Sequence, residues 1–317
     1  MIQLISVMSE LGAGTEGSSG GFSAIVSASS KQSENATSLH NSNDIVIVKN
    51  EQFSTSLNPD FRHAKNLREI VTMYNRISSA IENCVSDDKF PFVISGDHSN
   101  AGGTVSGLKR SWMNSRIGLV WIDAHADLHS PFTTPSGNVH GMPVATAIKE
   151  NNIENAINQP SDKTIDLWGK LLGDERRVNP SDIAYVGLRS VEDAESFLIQ
   201  KYGMGVHTVK ELRNRGVDKV IRDIELQLDK CDVIYVSFDV DSMDPSVSNG
   251  TGTPVNDGLS KKEALELLQT LASHSKVKCI EFTEINPSLD SIGEPMGEVA
   301  SHLFHKTINC LNKRLSK

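Results

Sequence analysis

The chain has 317 residues, 38% of them hydrophobic and 22% charged, with a formal net charge of −9. That length can bury a full core as one large α/β domain or two smaller ones, and the acidic balance disfavours a nucleic-acid surface, which needs clustered Lys and Arg. No apolar run approaches the ~20 residues required to span a bilayer, so no membrane partner is expected.

The first residues, MIQLISVMSELGAG, carry no basic leader and reach Glu10 soon after a short apolar run. They read as a first strand and not as a signal peptide, which points to a cytoplasmic protein. Short β-branched runs then recur at Gln3–Val7, Ile45–Val48, Phe92–Ser95, Ile117–Asp123, Ile183–Gly187, Gly205–Thr208, Val233–Asp239 and Val277–Thr283. Stretches of helical character separate them, including Lys65–Asn83, Met142–Glu150, Val191–Gln200, Val217–Leu228 and Lys261–Ser273. This alternation is the pattern of a parallel, eight-stranded sheet covered by helices on both faces, an α/β fold. Ser260 and Glu263 form a capping box that marks one helix start. Ser27–Asn43, rich in Ser and Asn, reads as a surface loop. Strands continue to the end without repeats or a clear linker, so a single catalytic domain over 1–317 is expected. Cys84, Cys231, Cys279 and Cys310 are widely spaced and read as buried free thiols in a reducing compartment.

Three strand ends carry the chemistry. In IGLVWIDAHAD (Ile117–Asp127) an apolar strand runs into Asp123, His125 and Asp127. Alternation in extended chain would turn all three to one side, at the carboxyl end where open α/β sheets place ligands. VIYVSFDVDSMD (Val233–Asp244) repeats the design with Asp239 and Asp241, and PFVISGDHSN ends in Asp97 and His98. Taken singly, an Asp at a strand end is ordinarily a turn former or a cap, and a lone His a surface or satisfied core residue. Together the ends imply that Asp123, Asp127, Asp239 and Asp241 crowd one pocket, where mutual repulsion demands a cation. Two divalent ions match these carboxylates and leave His98 and His125 as neutral ligands. Oxygen and nitrogen donors without cysteine suit manganese, with zinc, iron and cobalt still open.

GDHS at Gly96–Ser99, DAHAD at Asp123–Asp127, SGNVHGMP at Ser136–Pro143, SFDVDSMDP at Ser237–Pro245 and TGTP at Thr251–Pro254 resemble, in this order, motifs of arginases and related ureohydrolases. The resemblance implies a three-layer α/β/α sandwich and two Mn2+ per chain. One ion would be held by His98, Asp123, Asp127 and Asp239, the other by Asp123, His125, Asp239 and Asp241, with Asp123 and Asp239 bridging. It further implies that a hydroxide between the ions attacks a guanidinium carbon and that Asp127 first carries the proton to the departing amine. His140 would shuttle protons, and Glu284 would pair with the guanidinium. Ser136 and Asn138 would hydrogen-bond an α-carboxylate, favouring L-arginine, which yields L-ornithine and urea, over agmatine. Thr253 joins the substrate-binding set. His129, Ser190 and Glu192 depart from the Asn, Asp and Asp common in arginases. Glu192 and Glu195 could still receive an α-ammonium and His129 could donate to a carboxylate. Ser190 and Asp193 also resemble a helix cap, and the dipole favours acidic groups in a first helical turn whatever the substrate. The family's trimers and hexamers imply a homo-oligomer.

Alternatives differ in the features they need. An agmatinase or another guanidino amidinohydrolase shares the chemistry and differs in substrate. A metal-stabilised, non-catalytic binding protein would keep the ligands and lose turnover. The Asp239-Val240-Asp241 spacing also resembles the aspartate pair of haloacid-dehalogenase phosphotransferases, but it lies late in the chain beside a second cluster that such enzymes do not need.

Overall fold

A computed structural model describes residues 1–31, 45–50, 58–291, 293 and 295–316. The strands are β1 (Ile2–Met8), β2 (Ile45–Lys49), β3 (Phe90–Ser95), β4 (Ile117–Ile122), β5 (Ile183–Val186), β6 (Gly205–His207), β7 (Val233–Asp239) and β8 (Val277–Thr283). The helices are α1 (Gly21–Lys31), α2 (Leu67–Ser86), α3 (Ala101–Ser111), α4 (Pro143–Ile148), α5 (Asp162–Leu172), α6 (Asp193–Tyr202), α7 (Val209–Arg215), α8 (Val217–Gln227), α9 (Lys261–Ser273) and α10 (Met296–Leu315). All strands join one 8-stranded sheet in the order β2-β1-β3-β8-β7-β4-β5-β6, and each pairing is parallel.

Side-chain alternation along the central strands builds two cores, one on each face. Val120, Ile122, Val236 and Phe238 pack with α8, α9 and α10. Leu119, Trp121, Val233 and Tyr235 face the opposite layer, with Met73 and Ile77 of α2 and Val105 and Leu108 of α3. The product is the three-layer α/β/α sandwich that the motifs imply. Among the described residues, no helix is long and apolar enough to cross a membrane.

The strand order also fixes where a ligand site can form. From β4 the chain moves outward to β5, whereas from the adjacent β7 it moves the other way to β8. Neighbouring strands whose connections diverge leave a crevice at their carboxyl ends.

Two expectations need correction. Ser27–Lys31 is the end of α1 and not a loop, because Ile25 and Ala28 bury and Ser29 bonds inward to Ser301 at 3.0 Å and His305 at 2.7 Å on α10. Residues 32–43 lie outside the described residues. Cys84, Cys231 and Cys279 are buried free thiols as expected, but Cys310 is only partly buried.

Candidate active site

Side chains from the ends of β3, β4 and β7 meet, although not by extended-strand alternation. β4 stops at Ile122, and the chain turns irregularly through Asp123–Asp127, with Asp127 in the left-handed region at φ 52°. β7 stops at Asp239, whose side chain accepts from the Asp241 N–H at 2.8 Å and starts a short 3-10 turn over Val240–Ser242. His98 opens a similar turn after β3, capped by Asp97, whose carboxylate accepts from the Ser99 N–H at 2.8 Å. Strands aim each segment; tight turns then fold the carboxylates back over the strand ends.

His98 Nδ1 lies 3.0 Å from Asp123 Oδ2, 3.0 Å from Asp127 Oδ2 and 3.2 Å from Asp239 Oδ2. His125 Nδ1 lies 3.0 Å from Asp241 Oδ2 and 3.6 Å from Asp123 Oδ1. Two donor sets result, His98/Asp123/Asp239 and Asp123/His125/Asp241, each with its ligand atoms within 4.8 Å of one another. Asp123 belongs to both. Asp127 stands beside His98 but outside these two sets, and Asp239 belongs to the first alone.

The electrostatics show a deficit of positive charge. Burial, reinforced by the charges of Asp241 and Asp123, drives Asp239 well above the ordinary carboxylate range. Burial and Asp123 push Asp127 up to about 7 against the pull of His98. Burial by itself would lower both imidazoles, but the carboxylates around them prevail: Asp127 and its neighbours raise His98 well above its ordinary value, and Asp241 and Asp123 raise His125 to about 12. For Asp123, burial acts upward, yet hydrogen bonds with His125 and His98 leave it below its usual value. Despite the short distances, His98 Nδ1 and Asp127 Oδ2 are buried without a hydrogen bond of acceptable geometry. Lone pairs converging on a common centre, with too few protons to share, are what a bound cation would satisfy. The donor set therefore fits a hard or borderline metal ion.

Supporting groups fix these donors. His98 stacks on Trp121 with ring centroids 4.2 Å apart, and Trp121 Nε1 donates to Asp123 Oδ2 at 3.0 Å. The other imidazole nitrogen, His98 Nε2, bonds Ser237 Oγ at 2.7 Å. Neither Trp121 nor Ser237 is singled out by sequence reasoning. A signal was available, since each lies two residues before a motif aspartate and so on the same strand face.

The six charged groups form the floor of a cavity of about 230 Å³, below the ~300–1,000 Å³ of typical drug-sized sites and suited to a small metabolite. His129, Ser136, Asn138 and His140 line its walls, as do Glu192, Glu195 and Thr253. Thr253 Oγ1 donates to Asp241 Oδ2 at 3.1 Å, so it touches the floor as much as any ligand. Glu284 is not on the cavity wall. It is 4% exposed, takes the left-handed φ of 61°, accepts from the His98 N–H at 3.0 Å and lies 3.3 Å from His140 Nδ1. The Glu284 carboxylate raises His140 to about 9, overcoming the opposing effect of burial.

At the outer end, Glu192 and not Ser190 is the N-cap of α6, so the expected Ser190/Asp193 cap is displaced by two residues and Ser190 faces the cavity. Glu195 accepts from the Leu128 N–H at 3.0 Å and the Glu192 N–H at 3.1 Å. His129 Nε2 is 3.5 Å from Glu192 Oε2 and 3.8 Å from Glu195 Oε2. Both acids thus have partners inside the protein.

Comparison with known proteins agrees with this geometry. Over 247 residues, 77% of this chain and 78% of that protein, the sequence is 32% identical to the arginase of Bacillus subtilis (strain 168). It is 30% identical to Arginase-1 of Homo sapiens over 252 residues, 79% of this chain and 74% of that one. The crystal structure of arginase from Bacillus caldovelox superimposes with a TM-score of 0.81 at 28% identity, covering 96% of this chain and 97% of that chain. A family model, described as the arginase family, matches residues 1–309 and so runs through every strand and every turn that feeds the cavity. On this evidence the chain belongs to the arginase family.

Proposed function

We propose that the protein hydrolyses a guanidino group with two manganese ions per chain, most favourably converting L-arginine to L-ornithine and urea, and that residues 1–317 form one catalytic domain. The carrying observation is the pair of donor sets sharing Asp123 on the floor of a cavity whose far wall presents Ser136 and Asn138. His98, Asp123, Asp127 and Asp239 would hold one ion and Asp123, His125, Asp239 and Asp241 the other; donors of nitrogen and oxygen alone favour manganese. Bound there, the ions would neutralise the carboxylates and make water ionise near neutral pH.

The chain's own groups supply the remaining work. Asp127 is clamped through its carbonyl, which accepts from the Val144 N–H at 3.1 Å, and in this reading its carboxylate would take a proton and pass it to the departing amine. His140 lines the wall and exchanges protons, and Glu284 holds one of its ring nitrogens and adds negative charge toward the guanidinium. Ser136 and Asn138 are offered to a carboxylate. A cytoplasmic homo-oligomer belongs to the same reading.

One observation favours a second substrate within this chemistry. Because Glu192 and Glu195 already face His129, an α-ammonium would compete with an internal partner. A guanidino acid without that ammonium, such as guanidinobutyrate, suits the outer end better than agmatine, which lacks the carboxylate. Urea release with manganese across arginine, guanidinobutyrate and agmatine tests the proposal. Arginine or guanidinobutyrate should lead, and no urea from any of them would overturn it.

A further inference from the structure

Beside the cavity, and not part of any motif, sits Lys65. Its Nζ donates to Asn138 Oδ1 at 2.9 Å, and its backbone N–H donates to the Gly137 carbonyl at 2.8 Å. Among the described residues, Asn138 is the hydrogen-bond partner of this ammonium, and no carboxylate forms a salt bridge with it. Lysine thus reaches the cavity through one amide.

That contact settles which way the amide points. An ammonium has three donors and no acceptor, so the Asn138 atom it touches has to be the oxygen. Asn138 Nδ2 is then turned away from Lys65, toward the strand-end loop that holds Gly14. A Cβ at Gly14 would lie 2.7 Å from Nδ2, so only glycine leaves room for the amide in this orientation. The turn beneath is equally constrained: Gly137 has φ 76°, a Cβ there would lie 2.1 Å from the Arg62 carbonyl, and the Asn138 N–H donates to Ser136 Oγ at 3.1 Å.

The charge distribution across the outer end gives this orientation a use. The lining carries Glu192 and Glu195 as well as Ser136 and Asn138, and Asn138 is backed by an ammonium that has no ion-pair partner among the described residues. We infer that Lys65 is a positioning and specificity residue, which locks Asn138 with its NH2 group as a donor and polarises that part of the lining so that the site selects ligands bearing a carboxylate. The inference rests on the guanidino-hydrolase reading only for the name of the substrate; the selection itself is a binding property.

The test uses ligands that are not turned over. L-ornithine and putrescine differ by the carboxylate, and each would be titrated calorimetrically into manganese-loaded wild type, Lys65→Met, Lys65→Arg, Asn138→Ala and the Lys65→Met/Asn138→Ala double variant. Lys65→Met is expected to weaken L-ornithine about tenfold, the scale of one hydrogen bond to a charged group, and putrescine less than about twofold. Lys65→Arg should recover most of the loss, and the double variant should lose little more than Asn138→Ala alone, because the two residues act through one contact. Lys65 is only partly buried, and unchanged melting temperatures would confirm that the variants fold. Equal weakening of both ligands, or additive losses in the double variant, would overturn the inference. If the variants behave as expected but the wild type releases no urea from any guanidino compound, the proposed reaction fails while the role of Lys65 stands.

Discussion

The floor of the cavity and its outer end draw on different parts of the fold. On the floor, Asp123, Asp239 and Asp241 are almost fully buried, leave the ends of central strands in tight turns, and are held by Trp121 and backbone N–H groups, while Ser237 holds the adjoining His98. At the outer end, Ser136 is exposed, Asn138 is half-buried, and Glu192 caps a helix. Buried like charges cannot be left without a counter-charge, so the floor has few chemical solutions and its residues are tightly dictated. Hydrated groups at the outer end, such as Glu192 and Ser136, can change partner at small cost, and it is here that the sequence resemblance implies departures at His129, Ser190 and Glu192. Reaction chemistry is thus specified more stringently than substrate choice.

Substitutions that separate the two regions should follow that order. Asp239→Ala removes a donor proposed to serve both ions, and metal analysis should find less than one tightly bound ion per chain, with activity down by about 10³-fold or more. Two retained ions would break the assignment. Glu284→Ala and His140→Asn leave the donor sets intact; metal content should hold while kcat falls by about 10²–10³-fold, on the scale of general acid-base and electrostatic contributions. Ser237→Ala releases His98 Nε2, and manganese affinity measured by competition with a chelator should weaken by roughly 10–100-fold, as for other groups that orient a ligating histidine. At the outer end, Ser136→Ala should raise KM for arginine by roughly tenfold, leave kcat nearly unchanged and scarcely affect agmatine. Equal effects on both substrates would remove Ser136 from carboxylate recognition.

The same division governs what the sequence reveals. All strands are legible because each is a short β-branched run, and α9 is bounded as expected over Lys261–Ser273 because its Ser260/Glu263 capping box is local. The motif residues are legible as a cluster, yet the physical route differs from alternation: Asp127 arrives through a left-handed turn and Asp241 through a 3-10 turn. The end of α1 is masked in the sequence by serines that favour caps and turns in isolation and become helical against α10. Lys65 and Asn138 are 73 positions apart, so no local pattern announces their contact, whereas Trp121 is announced only by its place two residues before Asp123 and gains its stacking on His98 from the fold.

We propose that these carboxylates and imidazoles form one site whose charge is completed by a pair of divalent ions required for turnover. Titrating metal-free protein with Mn2+, while following bound metal and urea release on the same samples, tests it most directly. Binding should saturate at two ions per chain, with urea release rising as they fill; full activity in excess chelator, or saturation without ions at the Asp123 cluster, would rule out a two-ion site there.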